Sequence, residues 1–353
     1  MCRLRPCTAR GQNCHARGSS SGIFSDRGAT PDGAGCANCR GSSFSAQQVR
    51  VYIRLLALDR RRRHPGVWRA SLIPGGSLKS EAIITTRDLS YSYPGGVAAL
   101  SGVSLEILSG EFIAIIGSNG SGKTTLAKHF NGLLKPSQGH VIVDGLDTRT
   151  TRVSELSRIV GFVFQNPDHQ IFGYSVWEEA SFGLKLQRVD EESIEQQTTD
   201  ALRAVALDGL RDRHPRALSR GQRQRLATAS ILALETPVLV LDEPTTGQDF
   251  ISRRQIMELT VDLHAEGRTV IMVTHDMSLV AEYASRVIVM QDGKVLGDSP
   301  PKEAFEREEI LMSTGLELPP VIRIARGLRE YGFSDTPLTQ AELVENLITA
   351  IRR

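Results

Sequence analysis

The nine residues Gly117, Ser118, Asn119, Gly120, Ser121, Gly122, Lys123, Thr124 and Thr125 constrain the chain most. They match G-x-x-x-x-G-K-[ST] and lie between the apolar run Glu111–Ile116 and a helical pattern, which is the context that motif requires. Glycines let backbone N–H groups close around phosphate oxygens, and the following helix N-terminus favours an anion. In such a loop Lys123 reaches the β- and γ-phosphates of a nucleoside triphosphate and Thr124 holds Mg²⁺.

A strand–loop–helix unit of this kind needs a parallel sheet around it, and the chain supplies one from Glu81 onward. Ala82–Thr86, Val103–Ile107, His140–Val143 and Ile159–Phe164 read as strands, with a turn over Tyr91–Gly96. Val238–Leu241 and Thr269–Val273 are continuous apolar runs, as parallel strands covered on both faces should be. Phe250–Ala265 lies between them as a crossover helix. A helix is predicted over Gly122–Leu134, stopping before Lys135-Pro136 because the residue before proline disfavours the α region. Residues 176–213 read as mostly helical, and another helix begins at Ser219. The expectation is an α/β domain with an inserted helical segment.

Val238–Leu241 ends in Asp242-Glu243, 119 residues after Lys123. Two carboxylates on such a strand end put Asp242 beside Mg²⁺ and Glu243 beside the attacking water. Taken alone, the pair could equally cap a helix.

Leu218-Ser219-Arg220-Gly221-Gln222 then resembles the signature loop of the ATP-binding-cassette (ABC) family, Leu-Ser-Gly-Gly-Gln, with Arg220 in place of glycine. Ser219 and Gln222 also fit a capping box, and a capped helix N-terminus can bind phosphate. The resemblance covers roughly residues 82–300 and implies further roles. Tyr93 would stack on adenine, with Tyr91 as its rival. Gln165 would sense Mg²⁺ and relay to a membrane partner. Asp249, in Thr245-Thr-Gly-Gln-Asp, would sit at the dimer interface, with Gln248 replacing the usual leucine. His275 would contact the γ-phosphate. The implied architecture is a P-loop NTPase cassette: a RecA-like core, an antiparallel β subdomain and a helical subdomain at about 166–225, within an ATPase domain of 81–312. The implied cofactors are ATP and Mg²⁺, in a site completed by Ser219 of a second ABC ATPase subunit, identical or paralogous.

Lys123 and Ser219 are 96 residues apart, which leaves room for a small helical subdomain and not for long coiled coils. The stretch Phe164–Phe172, then Val176–Glu179 and Phe182-Gly183, resembles the energy-coupling factor (ECF) ATPases, which power uptake of vitamins or of cobalt and nickel ions. The tail 313–353, with Pro319-Pro320 and an amphipathic Val321–Tyr331, is similar to their helical extension, which helps pair two ATPases. That resemblance implies an integral membrane scaffold, a substrate-binding membrane subunit and a peripheral position on the cytoplasmic face of the membrane. A conventional importer or exporter subunit is the alternative.

Composition divides the chain. Residues 1–80 hold 13 Arg and 1 Lys against 3 Asp, a balance of +11, together with all five cysteines; the remaining 273 residues balance at −9. The first stretch is rich in Gly, Ser and Arg and is expected to stay disordered, since it cannot bury enough apolar surface to offset ordering entropy. Cys36-x-x-Cys39 with Cys7, Cys14 and His15 offers zinc ligands but lacks a second CxxC. Arg60–Arg63 reads as a solvated run or a contact for nucleic acid or anionic lipid. The segment also has the texture of a transit peptide, and a start placed too far upstream accounts for it equally well. The acidic remainder offers no cationic surface, so nucleic acid is not expected as a partner; a soluble nucleic-acid-associated ATPase is the third reading.

Overall fold

The computed structural model describes residues 81–333 and 335–352; the readings made on the cysteines and arginines of 1–80 lie outside these described residues. Strand β3 (Phe112–Gly117) explains the architecture best, because all six of its residues are buried. Phe112, Ala114 and Ile116 enter one apolar core, while Ile113 and Ile115 enter another. Side chains alternate across a strand, so a strand clothed on both faces must be apolar throughout.

The same division recurs in β6 (Val160–Val163), β7 (Val238–Asp242), β8 (Thr269–Val273) and β9 (Arg286–Gln291). With β10 (Lys294–Ser299) they form a six-stranded sheet in the order β10-β9-β3-β8-β7-β6. It is parallel except for β10, which runs antiparallel to β9. A second, antiparallel sheet has the order β2-β1-β4-β5, from β1 (Ala82–Ser92), β2 (Ala98–Leu108), β4 (Gln138–Val143) and β5 (Leu146–Asp147). Its apolar residues share a core with Ile113, Ile115 and helix α1 (Lys123–Phe130).

Helix α1 is shorter than the predicted 122–134. Asn131 closes it, its Oδ1 accepting the Leu133 N–H at 3.1 Å, and Gly132 (φ +73°) turns the chain ahead of β4. After α2 (Val153–Leu156) and β6, the insertion is less continuous than expected. It comprises α3 (Val176–Leu186) and α4 (Glu191–Ala204), separated by a break capped by Asp190, then single 3-10 turns. Helix α5 (Arg220–Leu232) leads to β7, and α6 (Phe250–Ala265) crosses over to β8 at the predicted bounds.

Past α7 (Met277–Tyr283), α8 (Pro301–Glu306) and α9 (Glu308–Ser313), the amphipathic tail is α10 (Pro320–Gly327), a 3-10 turn and α11 (Gln340–Arg352). Leu316, Leu318, Ile322, Ala325 and Phe333 join the core that holds Phe112 and Ala114. Among the described residues, no helix is long and apolar enough to cross a membrane.

Candidate functional site: a phosphate loop with a two-carboxylate strand

The loop after β3 is held by its own lysine. Lys123 Nζ donates to the carbonyls of Gly117 (2.9 Å) and Ser118 (2.8 Å) and lies 3.4 Å from Ser121 Oγ. Burial pushes its pKa below the ordinary amine value, and the nearby carboxylates of Glu243 and Asp242 oppose that shift. Ser121 and Gly122 are buried against neighbouring backbone, whereas Asn119 and Gly120 are exposed at the loop's tip.

The arrangement fits a bound triphosphate. Helix α1 begins at Gly122 with no side-chain cap, so its first-turn N–H groups have no side-chain acceptor. The N-termini of α3, α5 and α6 are capped instead, by Ser175, Ser219 and Asp249. An uncapped helix start beside a buried lysine is an anion site. The metal donors fit as well: Thr124 Oγ1 donates to both Asp242 oxygens, at 3.1 and 3.0 Å. A hydroxyl and a carboxylate are the oxygen ligands that a hard cation such as Mg²⁺ takes. Asp242 is buried, and that burial, together with Glu243, raises its pKa against the opposing effects of Thr124, Lys128 and Lys123.

Glu243 has a φ of +51°, in the left-handed region that few non-glycine residues occupy, and its N–H is pinned to the Val273 carbonyl at 2.9 Å. Oε1 accepts from His275 Nδ1 at 2.7 Å, and Oε2 accepts from the Thr246 hydroxyl at 3.0 Å. The His275 ring is mostly exposed, at 61%, while Glu243 is 9% exposed, so the imidazole covers the carboxylate from the solvent side.

The base end of the site is separate in sequence and adjacent in space. Tyr93, 37% exposed, shares a hydrogen bond with Thr125 Oγ1 at 3.1 Å. Its rival Tyr91 is partly buried within β1, edge-on to Tyr93 at 5.0 Å. Of the two, Tyr93 is the more exposed.

The remaining candidates stand apart. Gln165 follows β6 and is exposed, and no hydrogen bond joins it to Thr124 or Asp242. Ser219, Gly221 and Gln222 start α5 with the predicted capping box: Ser219 Oγ accepts from the Gln222 N–H (3.2 Å), and Gln222 Oε1 accepts from the Ser219 N–H (2.9 Å). None of the three bonds to Lys123 or Asp242 in this chain. Arg220 adopts an ordinary helical backbone, so its position does not call for glycine. Its guanidinium lies over Gly247, and the Gln248 amide lies over Gly221; the two departures from the family pattern thus meet, each covering a glycine of the other's loop. Asp249 caps α6, accepting from the Ser252 N–H at 2.8 Å, and this bond holds its carboxyl below the usual range.

Three contributors were given no role by the motifs. Thr246 orients Glu243. Arg253 on α6 pairs with Asp276 at 2.6 Å, tying the start of α6 to the residue after His275. Gln170 fastens the segment after β6 to α5, donating to the Ala227 carbonyl (2.9 Å) and Ser230 Oγ (3.2 Å) while accepting from the Phe164 N–H (3.3 Å).

Comparison with known proteins agrees with this geometry. A family model described as ABC transporter matches residues 100–246. A putative ABC transporter ATP-binding protein of Caldanaerobacter subterraneus subsp. tengcongensis is 48% identical over 70% of this chain and 44% of its own length. The chain spans less than half the length of this and two similar relatives. It spans 98% of the energy-coupling factor transporter ATP-binding protein EcfA of Methanocaldococcus jannaschii, at 39% identity over 76% of this chain. Among solved structures, cbiO1 from Clostridium perfringens, described as part of the ABC transporter complex cbiONQ, has a TM-score of 0.59 at 38% identity, covering 70% of this chain and 99% of that one. A dimeric ATP-binding cassette in a post-hydrolysis state bound to ADP and Pi has a TM-score of 0.58 at 30% identity, covering 62% of this chain and 98% of that one.

The chain belongs to the ABC transporter ATP-binding subunits, with the cassette fold of that family. Within them it resembles the energy-coupling factor ATP-binding proteins.

Proposed function

We propose that this chain hydrolyses ATP to drive an energy-coupling factor importer from the cytoplasmic face of the membrane, taking up a vitamin or cobalt or nickel ions. The observation that carries the catalytic part is the pairing of Glu243 with His275 and Thr246 directly after Asp242, which is bonded to Thr124. Lys123 and the N–H groups of the loop and of α1 hold the phosphates. Thr124 and Asp242, with Gln165 brought in from the end of β6, would hold Mg²⁺, which would neutralise charge on the phosphate oxygens. Glu243, its second oxygen steadied by Thr246, takes the proton of the attacking water. His275 Nδ1–H orients that carboxylate while its exposed ring faces the phosphate end of the site.

Ser219, Gly221, Gln222 and Asp249 do not meet Lys123 within one chain, which supports a site completed by a second cassette. Residues 313–353 help to pair the two, and 1–80 lie outside the catalytic domain of 81–312. The membrane scaffold docks beside Gln165–Glu179. There Phe172, Tyr174, Phe182 and Leu186 are exposed large apolar side chains, with Phe172 and Phe182 in edge contact at 4.5 Å. Glu179 supports that surface from beneath, accepting the N–H groups of Phe172 (2.9 Å) and Gly173 (2.8 Å). Exposed large apolar side chains gathered on neighbouring elements, two of them in contact, support an interaction site here.

The test is phosphate release by the full chain with its partner cassette, together with equilibrium ATP binding. Glu243→Gln is expected to keep ATP affinity and lower turnover by about 10²–10⁴-fold, the usual contribution of a general base. Lys123→Ala is expected to lose nucleotide affinity itself. Unchanged turnover in Glu243→Gln, or full affinity in Lys123→Ala, would contradict the reading.

A further inference from the structure

His129 is an unusual occupant for its position in α1. It is fully buried, in the core beneath the antiparallel sheet, where an apolar side chain would leave no polar atom without a partner. Its Nδ1 lies 2.7 Å from the Thr125 carbonyl, which can only accept, so Nδ1 carries the hydrogen. Burial lowers its pKa, outweighing the Thr125 and Lys135 backbone carbonyls that favour the charged ring. Its Nε2 is buried without a hydrogen-bond partner. A buried unsatisfied atom in a well-packed core asks for a reason.

The rest of the imidazole belongs to a closed ring of four contacts. Tyr93 hydroxyl meets Thr125 Oγ1 at 3.1 Å, and the Thr125 carbonyl accepts from His129 Nδ1 at 2.7 Å. His129 meets Tyr91 edge-on, with centroids 5.0 Å apart and planes at 75°. Tyr91 meets Tyr93 edge-on, again at 5.0 Å, with planes at 86°. Edge-to-face geometry at this spacing is the attractive arrangement for aromatic pairs. The ring joins the end of β1 to the first two turns of α1, so the aromatic at the base end is indexed to the loop that holds the phosphates.

We propose that His129 and Tyr91 are positioning residues for Tyr93, fixing it against the purine base of the bound nucleoside triphosphate. This rests on the ATP-binding reading of the loop. It assigns His129 and Tyr91 to the base-dependent part of nucleotide affinity and leaves the phosphate-dependent part to Lys123 and the loop.

The experiment measures equilibrium binding of ATP and of inorganic tripolyphosphate, each with Mg²⁺, to the full-length chain and its variants, with a thermal melt of each to verify folding. His129→Leu and, as a second variant in a less buried position, Tyr91→Leu are expected to weaken ATP roughly threefold to tenfold, the fold-change that loss of one aromatic pair produces. Tripolyphosphate binding should be unchanged, and Tyr91→Phe should restore ATP affinity, since the contact needs only the ring. In a double-mutant cycle, His129→Leu should add little to Tyr93→Ala, because both remove the same element. Equal weakening of ATP and tripolyphosphate, or additive effects of His129→Leu and Tyr93→Ala, would overturn the proposal. A wild-type chain that binds neither ligand would overturn the ATP-binding reading beneath it, an outcome visible before any variant is compared.

Discussion

Gly117 and Gly120 share a motif, yet the structure demands glycine at each for a different reason, and alanine separates them. At Gly120 the backbone has φ +82° and a β-carbon would meet nothing within 4 Å. Gly120→Ala therefore costs only the left-handed penalty of an L-residue, about 1–2 kcal/mol. At Gly117 the φ is +150°, and a β-carbon would lie 2.2 Å from the Met290 carbonyl oxygen and 2.7 Å from Ser121 Oγ. Gly117 and Met290 are partners in the β3–β9 ladder, so neither backbone can retreat without opening the sheet. Overpacking of this kind adds about 1–3 kcal/mol to the conformational penalty, giving about 2–5 kcal/mol in all. Urea unfolding monitored by circular dichroism, with the slope m held constant, reads both values. ATP affinity should fall further in Gly117→Ala, because the displaced loop is the one Lys123 braces. Equal losses of stability in the two variants would refute the argument that Gly117 is fixed by the β9 backbone.

His129 titrates below its ordinary value of 6.5 because it is buried, so the unfolded chain binds the proton first. Its contribution to stability is complete above about pH 6.5 and is lost as pH falls below that value. His129→Leu should flatten this part of the stability–pH curve measured by urea unfolding, and an unchanged curve would contradict it. Arg286 on β9 donates to Asp298 (2.6 and 2.7 Å), to Glu111 (3.1 Å) and to the Glu106 carbonyl on β2 (2.9 Å), linking the two sheets. Arg286→Ala strands two partly buried carboxylates and should cost about 1–3 kcal/mol after allowance for solvent screening, with a loss below 0.5 kcal/mol telling against the link. Removal of residues 1–80 should leave ATP turnover intact, since none of the proposed site residues lies there; a matching loss of turnover would favour a role for the basic segment.

The parallel strands β3, β6, β7 and β8 were legible because burial on both faces makes runs such as Val238–Leu241 continuously apolar, whereas β9, bounded by the half-buried Arg286 and Gln291, was not named. Helix α6 was legible to the residue because Asp249 caps it and glycine follows it. Pro136 points to a helix running to residue 134, but the Asn131-Gly132 turn ends α1 earlier. The loop and Asp242-Glu243 could be proposed because their chemistry is bound to fixed spacings, and His275 through the family resemblance alone. Thr246 and Gln170 lie inside quoted motifs and His129 outside them, but the contacts of all three come only from what tertiary packing brings against them. Arg220 and Gln248 stood out singly as departures from a pattern, and only the structure reveals that each packs on the other's loop.

The central claim is tested most directly by affinity purification of the full chain from detergent-solubilised native membranes, with co-purifying proteins identified by mass spectrometry. The account predicts recovery of a partner cassette, one shared integral membrane scaffold and a small substrate-binding membrane protein. Recovery of two ordinary permease domains would contradict the energy-coupling assignment, and recovery of ribosomal or DNA-bound proteins alone would contradict a role in transport.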